Sequence, residues 1–155
     1  MDTPASTYYN PSGAGFSSDR MDWRTPPDLF RALDDEFHFT LDAAANEANH
    51  LCDRYYTATD SAFSHSWAGE RVFCNPPYGR DAAKWIEKCA REGGGALVAA
   101  LLPARTDTRA FHRFIYKQPN VEIRFLPGRL HFGHPETGEP GEAAPFPSMI
   151  VIWKP

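Results

Sequence analysis

Apolar residues recur at helical spacing just after Thr25-Pro26-Pro27, where Leu29, Phe30, Leu33 and Phe37 share one face. Proline suits a first helical turn, whose N–H groups have no partner inside the helix. A helix is therefore predicted to open at these prolines, with Thr25 as its candidate cap. Phe39 to Ala43 reads as a first strand, Asn46 to Tyr55 as a short helix, and the polar stretch Thr57 to Gly69 as loop. Val72 to Asn75 is a second strand. Asp81 to Glu92 places Ala82, Trp85, Ile86 and Cys89 on one helical face, and Gly93-Gly94-Gly95 stops that helix. Ala96 to Leu102 is apolar throughout, as a strand covered on both faces is. Asp107 or Thr108 can cap a helix reaching Gln118. Val121 to Leu126 is a further strand, Leu130 to Phe132 starts a hairpin into a loop rich in Gly and Pro, and Met149 to Trp153 is the last strand.

Strands alternating with helices imply an α/β fold with a mostly parallel sheet and helices on both faces. The final two strands are joined without a helix, so an antiparallel edge is expected. Between Asp42 and Val72 there is little room for two extra strand–helix units, which limits the sheet to about five to six strands. Residues 1–21, rich in Ser, Gly, Pro and Tyr and without periodicity, read as a flexible arm. Residues 22–155 then form one domain.

Composition adds modest constraints. The chain has 155 residues, 42% of them hydrophobic, enough for one core. It contains neither a run of eighteen apolar residues nor a signal-peptide pattern, so a soluble, cytoplasmic protein with no membrane partner is expected. Cys52, Cys74 and Cys89 form no Cys-x-x-Cys pair, and reduced thiols with no metal site are expected. The net charge of −4 argues mildly against nucleic acid as a partner, but the distribution is uneven. Pro103 to Phe132 carries six basic residues against Asp107 and Glu122, a local balance of +4.

Asn75-Pro76-Pro77-Tyr78 is the segment with most chemical content. It follows the apolar run Arg71-Val72-Phe73-Cys74. That puts it at the carboxyl end of a buried strand, where open α/β sheets bind ligands. Two prolines remove two backbone donors and stiffen the turn. The turn can thus hold a side-chain amide, a free carbonyl and an aromatic ring in fixed relation. That set suits a flat molecule bearing an amino group. An ordinary proline turn with an incidental Asn is the plain alternative.

This segment resembles the Asp/Asn/Ser-Pro-Pro-Tyr/Phe motif of amino-methyltransferases that use S-adenosylmethionine. The chain as a whole is similar to the phage-type DNA N6-adenine methyltransferase (Dam) family. The likeness rests on ordered blocks: Trp23-Arg24-Thr25-Pro26-Pro27, Leu41-Asp42-Ala43-Ala44-Ala45, Asp60 with Trp67, Asn75 to Tyr78, Leu102-Pro103-Ala104-Arg105-Thr106, and Gly128-Arg129-Leu130-His131-Phe132. It implies a reduced Rossmann-like methyltransferase fold, S-adenosyl-L-methionine as cofactor and DNA as partner, in a phage or prophage setting. Asn75, Pro76, Pro77 and Tyr78 would be catalytic: Asn75 Oδ1 and the Pro76 carbonyl accept the target amine, and Tyr78 stacks on a flipped base. Thr25 and Pro26 would line the methionine end of the cofactor, Asp42 would meet its ammonium, and Asp60 would accept from its adenine amine. Ala44, with Asn75 beside the cofactor, lies in a segment where many methyltransferases carry Gly-x-Gly; here Ala43-Ala44-Ala45-Asn46 stands instead.

Arg109, Arg113 and Lys117 recur every four residues and, with Arg105 before them and Arg129 beyond, could face DNA phosphates. The alternative is a solvated helix face. Phe132 is a candidate to contact the flipped base, against plain core packing. Phe111, Phe114, Trp85 and Trp153 read as core. The motif also serves RNA adenine and protein glutamine in related enzymes, and a non-catalytic nucleic-acid-binding module is a further alternative. No insertion is long enough for a separate recognition domain. Specificity would come from loops such as His134 to Phe146, from the arm, or from a second subunit in a homodimer.

Overall fold

The computed structural model describes residues 23–155. The arm expected over 1–21 lies outside them. In chain order the elements are α1 (Pro27–Phe37), β1 (Leu41–Asp42), β2 (Arg54–Tyr55), a 3-10 turn (Ala62–Ser64), β3 (Arg71–Cys74), α2 (Ala82–Glu92), β4 (Leu97–Pro103), α3 (Arg109–Phe114), β5 (Val121–Phe125) and β6 (Ser148–Trp153). Among the described residues these strands form one six-stranded sheet in the order β2-β1-β3-β4-β6-β5. β2, β1, β3 and β4 pair in parallel, whereas β6 runs antiparallel to both β4 and β5. The mixed α/β sheet with an antiparallel edge is thus the architecture that the alternating pattern predicts.

The sheet buries both faces. On one, Val98, Ala100, Leu102, Met149, Val151 and Trp153 pack under Cys89 of α2 and Phe111 of α3. On the other, Ala99, Leu101, Ile150 and Ile152 pack against Leu33 and Phe37 of α1 and against Phe132 and Phe146. Burial on both faces explains why β4 and β6 lack polar alternation.

Three expectations need correction. The helix expected over Asn46 to Tyr55 is absent. Asn46 and Asn49 exchange reciprocal backbone bonds at 3.2 Å, and the Asn46 side chain also accepts from Asn49 N at 2.7 Å. This closed turn competes with a helix, as Asn side chains commonly do, and the chain then pairs with β1 as strand β2. The helix expected to reach Gln118 ends at Phe114. Thr108 caps its start by accepting from Phe111 N, but Trp153 Nε1 takes the Phe114 carbonyl at 3.1 Å. Lys117 has φ 57°, which no right-handed helix allows. Finally, the hairpin expected at Leu130 to Phe132 is reduced to isolated bridges joining Gly133 to Arg24 and to Pro140.

Candidate active site

β1 and β3 lie side by side, with Asp42 opposite Phe73. Their carboxyl ends therefore deliver Asp42 and Asn75 to one edge of the sheet. Between them opens a cavity of about 290 Å³, walled by Trp23, Thr25, Ala43 to Asn46, Leu51, Pro77 and Trp85. That is near the lower bound for small-molecule sites, roughly 300 Å³. The far wall is the loop Thr57 to Ala62, which Trp67 anchors. Its indole is fully buried and donates to the Ala62 carbonyl at 3.2 Å. Its backbone N–H donates to Glu92 of α2 at 2.7 Å, and Lys88 closes the group on the same carboxylate.

Asp42 is 3% exposed. Its Oδ2 accepts from Leu51 N at 2.9 Å and its Oδ1 from Ala44 N at 3.4 Å. Burial raises its carboxyl above the ordinary range, while these two N–H groups and nearby His50 pull it down again. A carboxylate has about four acceptor sites, so capacity remains for a cation in the cavity. Ala43, Ala44 and Ala45 line the same wall, and their methyl groups leave the space that glycines would otherwise secure.

Asn75 is held from behind. Its Nδ2 donates to the Trp23 carbonyl at 3.2 Å and to Thr25 Oγ1 at 3.0 Å. Its Oδ1 is buried and has no hydrogen-bond partner among the described residues. Buried polar atoms are nearly always paired, so this oxygen keeps acceptor capacity on a residue that lines the cavity. Thr25 does not cap α1; no side-chain bond caps that helix. Pro26 is the residue that precedes α1 and lies outside the cavity lining.

Tyr78 faces a second cavity of about 300 Å³ on the other side of the proline turn. Pro76, Ile86, Pro103, Thr108, Phe111 and Phe146 wall it. The Tyr78 ring meets Phe132 at 5.7 Å and Phe146 at 5.4 Å, both edge-on. Burial raises its phenol, which stays neutral. Pro77 alone of the motif lines both cavities. The turn is thus a partition between two chambers.

The remaining sequence candidates scatter. Asp60 is exposed, outside the lining, and pairs with His65 Nε2 at 2.7 Å, although its neighbours Thr57, Ala58 and Ser61 line the first cavity. Phe132 is 1% exposed and packs behind Tyr78, on the core side of the alternative. Arg105 enters the second cavity with its guanidinium over the Phe146 ring at 5.5 Å. Arg109 and Arg113 are exposed on α3. Lys117 falls beyond the helix end, so the expected four-residue stripe stops at Arg113. Arg129 reaches the Ala144 carbonyl at 3.4 Å. Trp85, read as core, is a half-buried wall of the first cavity, packed on Phe63 at 4.7 Å between centroids. Its helical spacing with Cys89 hid this, because cavity and core share one face of α2.

Residues 15–155 match the family described as DNA N-6-adenine-methyltransferase (Dam). A protein of Escherichia phage T1, named DNA N-6-adenine-methyltransferase, is 31% identical over 152 residues, covering 85% of this chain and 62% of its own length. A protein of Haemophilus phage HP1, with the same name, is 25% identical over 141 residues, covering 89% of this chain and 81% of its own. With the match spanning every described element, the chain belongs to the DNA N-6-adenine-methyltransferase (Dam) family.

Proposed function

We propose that the chain transfers a methyl group from S-adenosyl-L-methionine to the N6 amine of a flipped-out adenine in DNA. Family membership supports the reaction class. The observation that carries the site assignment is the orphaned Oδ1 of Asn75, an acceptor kept buried and empty-handed beside a cavity. On this reading the sheet is a reduced Rossmann-like methyltransferase core and residues 22–155 are the catalytic domain. The likeness to phage proteins and the lack of any described helix able to cross a membrane suit a phage-encoded enzyme working in the bacterial cytoplasm.

The first cavity fits the cofactor chemically. Asp42 offers a buried carboxylate with spare acceptor capacity to the ammonium, and Ala43 to Ala45 leave room for the body of the molecule. When bound, the cofactor supplies an electrophilic methyl group on a sulfonium. The residues do the rest. The amine of adenine is a weak nucleophile because its lone pair is delocalised into the ring. Asn75 Oδ1 accepts one of its hydrogens and the Pro76 carbonyl accepts the other. Both bonds strengthen as the nitrogen becomes tetrahedral and positive, so they favour the transition state; as the new N–C bond forms the old S–C bond breaks, the donor would leave as a neutral thioether, and the methylated nitrogen gives up its surplus proton to water. The rigid proline turn supplies alignment. The second cavity, with Tyr78, Phe146 and Arg105, is the chamber offered to the base, which leaves the duplex at a cost of roughly a few kcal/mol; its amine would meet Asn75 beside Pro77, the residue that walls both cavities. Arg105, which lines that cavity, and Arg109 and Arg113, exposed on α3, are the phosphate contacts of this reading.

Asn75→Ala decides the matter. It should abolish methyl transfer while S-adenosylmethionine binding, followed by calorimetry, survives. Labelled cofactor offered with DNA, RNA or a glutamine peptide identifies the acceptor. An Asn75→Ala variant with unchanged transfer removes Asn75 from the chemistry, and transfer to RNA or peptide but not to DNA overturns the substrate.

A further inference from the structure

The Asn75 amide can take two orientations, and only one is productive. With Oδ1 toward the target amine it accepts; with Nδ2 in that place it would oppose the amine. What sets the choice lies behind the residue. The Trp23 carbonyl is 3.2 Å from Nδ2 and can only accept. Thr25 Oγ1 is 3.0 Å from the same nitrogen. Flipping the amide would set two carbonyl oxygens against each other. Thr25 is 7% exposed, so its hydroxyl stays on Asn75 with little competition from water.

The segment bearing both acceptors is itself tied down. Arg24 and Gly133 exchange backbone bonds at 2.8 and 2.9 Å. The Arg24 guanidinium also donates to the carbonyls of Pro135 and Glu136 at 3.0 and 3.2 Å. A carbon placed on Gly133 would lie 3.1 Å from Gly138 O and 3.2 Å from Arg24 Cβ, a tight fit that its neighbours would have to yield to accept.

We propose that Thr25 is a positioning residue: the Trp23 carbonyl, an acceptor only, sets which way the Asn75 amide faces, and the Thr25 hydroxyl holds that amide in place so that Oδ1 meets the target amine. Thr25 then acts through Asn75 and not as a ligand of the cofactor. This rests on the catalytic reading of Asn75 given above.

The test compares Thr25→Val, which keeps the shape and loses the hydroxyl, with Thr25→Ser, which keeps the hydroxyl, in the full chain. Thr25→Val should slow single-turnover transfer at saturating cofactor and DNA by about five- to tenfold, the usual consequence of one lost hydrogen bond. Cofactor affinity should hold, and Thr25→Ser should restore the rate. In nitrogen-15 spectra, the Asn75 side-chain amide signal (assigned by its loss in Asn75→Ala) should move in Thr25→Val and return in Thr25→Ser. A wild-type rate in Thr25→Val, a loss confined to cofactor affinity, or an unmoved amide signal each overturns the proposal. Failure of the methyltransferase reading looks different: the wild-type chain transfers nothing to DNA, while the amide signal still responds to Thr25→Val.

Discussion

Asp42 is an acid placed where acids are costly, at 3% exposure on the floor of a cavity. Two backbone N–H groups offset part of the burial, but its carboxyl stays above the ordinary range. The folded chain therefore keeps this proton at higher pH than the unfolded chain does. The stability tied to Asp42 is fully present at low pH and declines as pH rises through the raised value, the reverse of an ion-paired acid. A cation bound in the cavity would reverse that preference. Asp42→Ala should weaken S-adenosylmethionine binding by about 1.5–3 kcal/mol, the range for a hydrogen bond to a charged group. Wild-type affinity should also rise with pH across the Asp42 titration, and the variant should lose that rise. Calorimetry at several pH values checks both. A folded variant binding as tightly as wild type would make Asp42 structural.

At the scale of elements, α2 reaches the sheet at a glycine whose need is space, not a left-handed backbone. Gly93 continues α2 in right-handed geometry, its N–H bonded to the Cys89 carbonyl at 3.0 Å. A Cβ there would stand 2.5 Å from Trp153 Cβ, a contact that atoms do not make. Trp153 is buried and also bonds the end of α3, so it has little freedom to yield. Gly93→Ala should destabilise the fold by about 1–3 kcal/mol, as overpacked cores do. Gly94→Ala is the control. Nothing lies within 4 Å of its added carbon, so its effect should stay within about 0.5 kcal/mol. Urea unfolding of both measures the contrast, and equal midpoints would mean that α2 shifts freely away from β6.

At the scale of the whole molecule, a net charge of −4 has to be reconciled with DNA as the proposed substrate. Distribution does so. Arg124, one of the six basic residues between Pro103 and Phe132, is consumed by Glu36 at 2.7 Å and Glu122 at 2.6 Å, and ties α1 to β5. Arg105 is exposed and lines the second cavity, and Arg109 and Arg113 are exposed on α3, whose Ala110 and Phe111 line the same cavity. Each phosphate contact contributes about 0.9 to the slope of log affinity against log salt. Replacing Arg109 and Arg113 with Gln should flatten that slope by somewhat under about two units, weaken DNA binding across sequences and spare cofactor affinity. An unchanged slope would hand the role to Arg105, Arg129 or the segment before Trp23.

What could be read along the chain was what local chemistry dictates. Leu29 to Phe37 and Ala82 to Cys89 carry helical periodicity, and the apolar runs at Ala96 and Met149 announce buried strands, so α1, α2, β4 and β6 were legible. The proline turn was legible too, because its rigidity is intrinsic to its residues, and it stands between the two cavities. Contacts between distant residues were not legible. Trp153 lies 39 residues from the carbonyl that it takes at the end of α3. That contact helps end the helix before Lys117 and breaks the basic stripe that spacing alone suggested. Thr25 stands before two prolines at a helix start and looks like a cap, yet it bonds Asn75, 50 residues away. Trp85 carries the same periodic signal as a core residue and walls a cavity. Periodicity tells which face of an element turns inward. Whether that face meets protein or an empty chamber depends on what the rest of the chain places opposite, and only the folded molecule decides that.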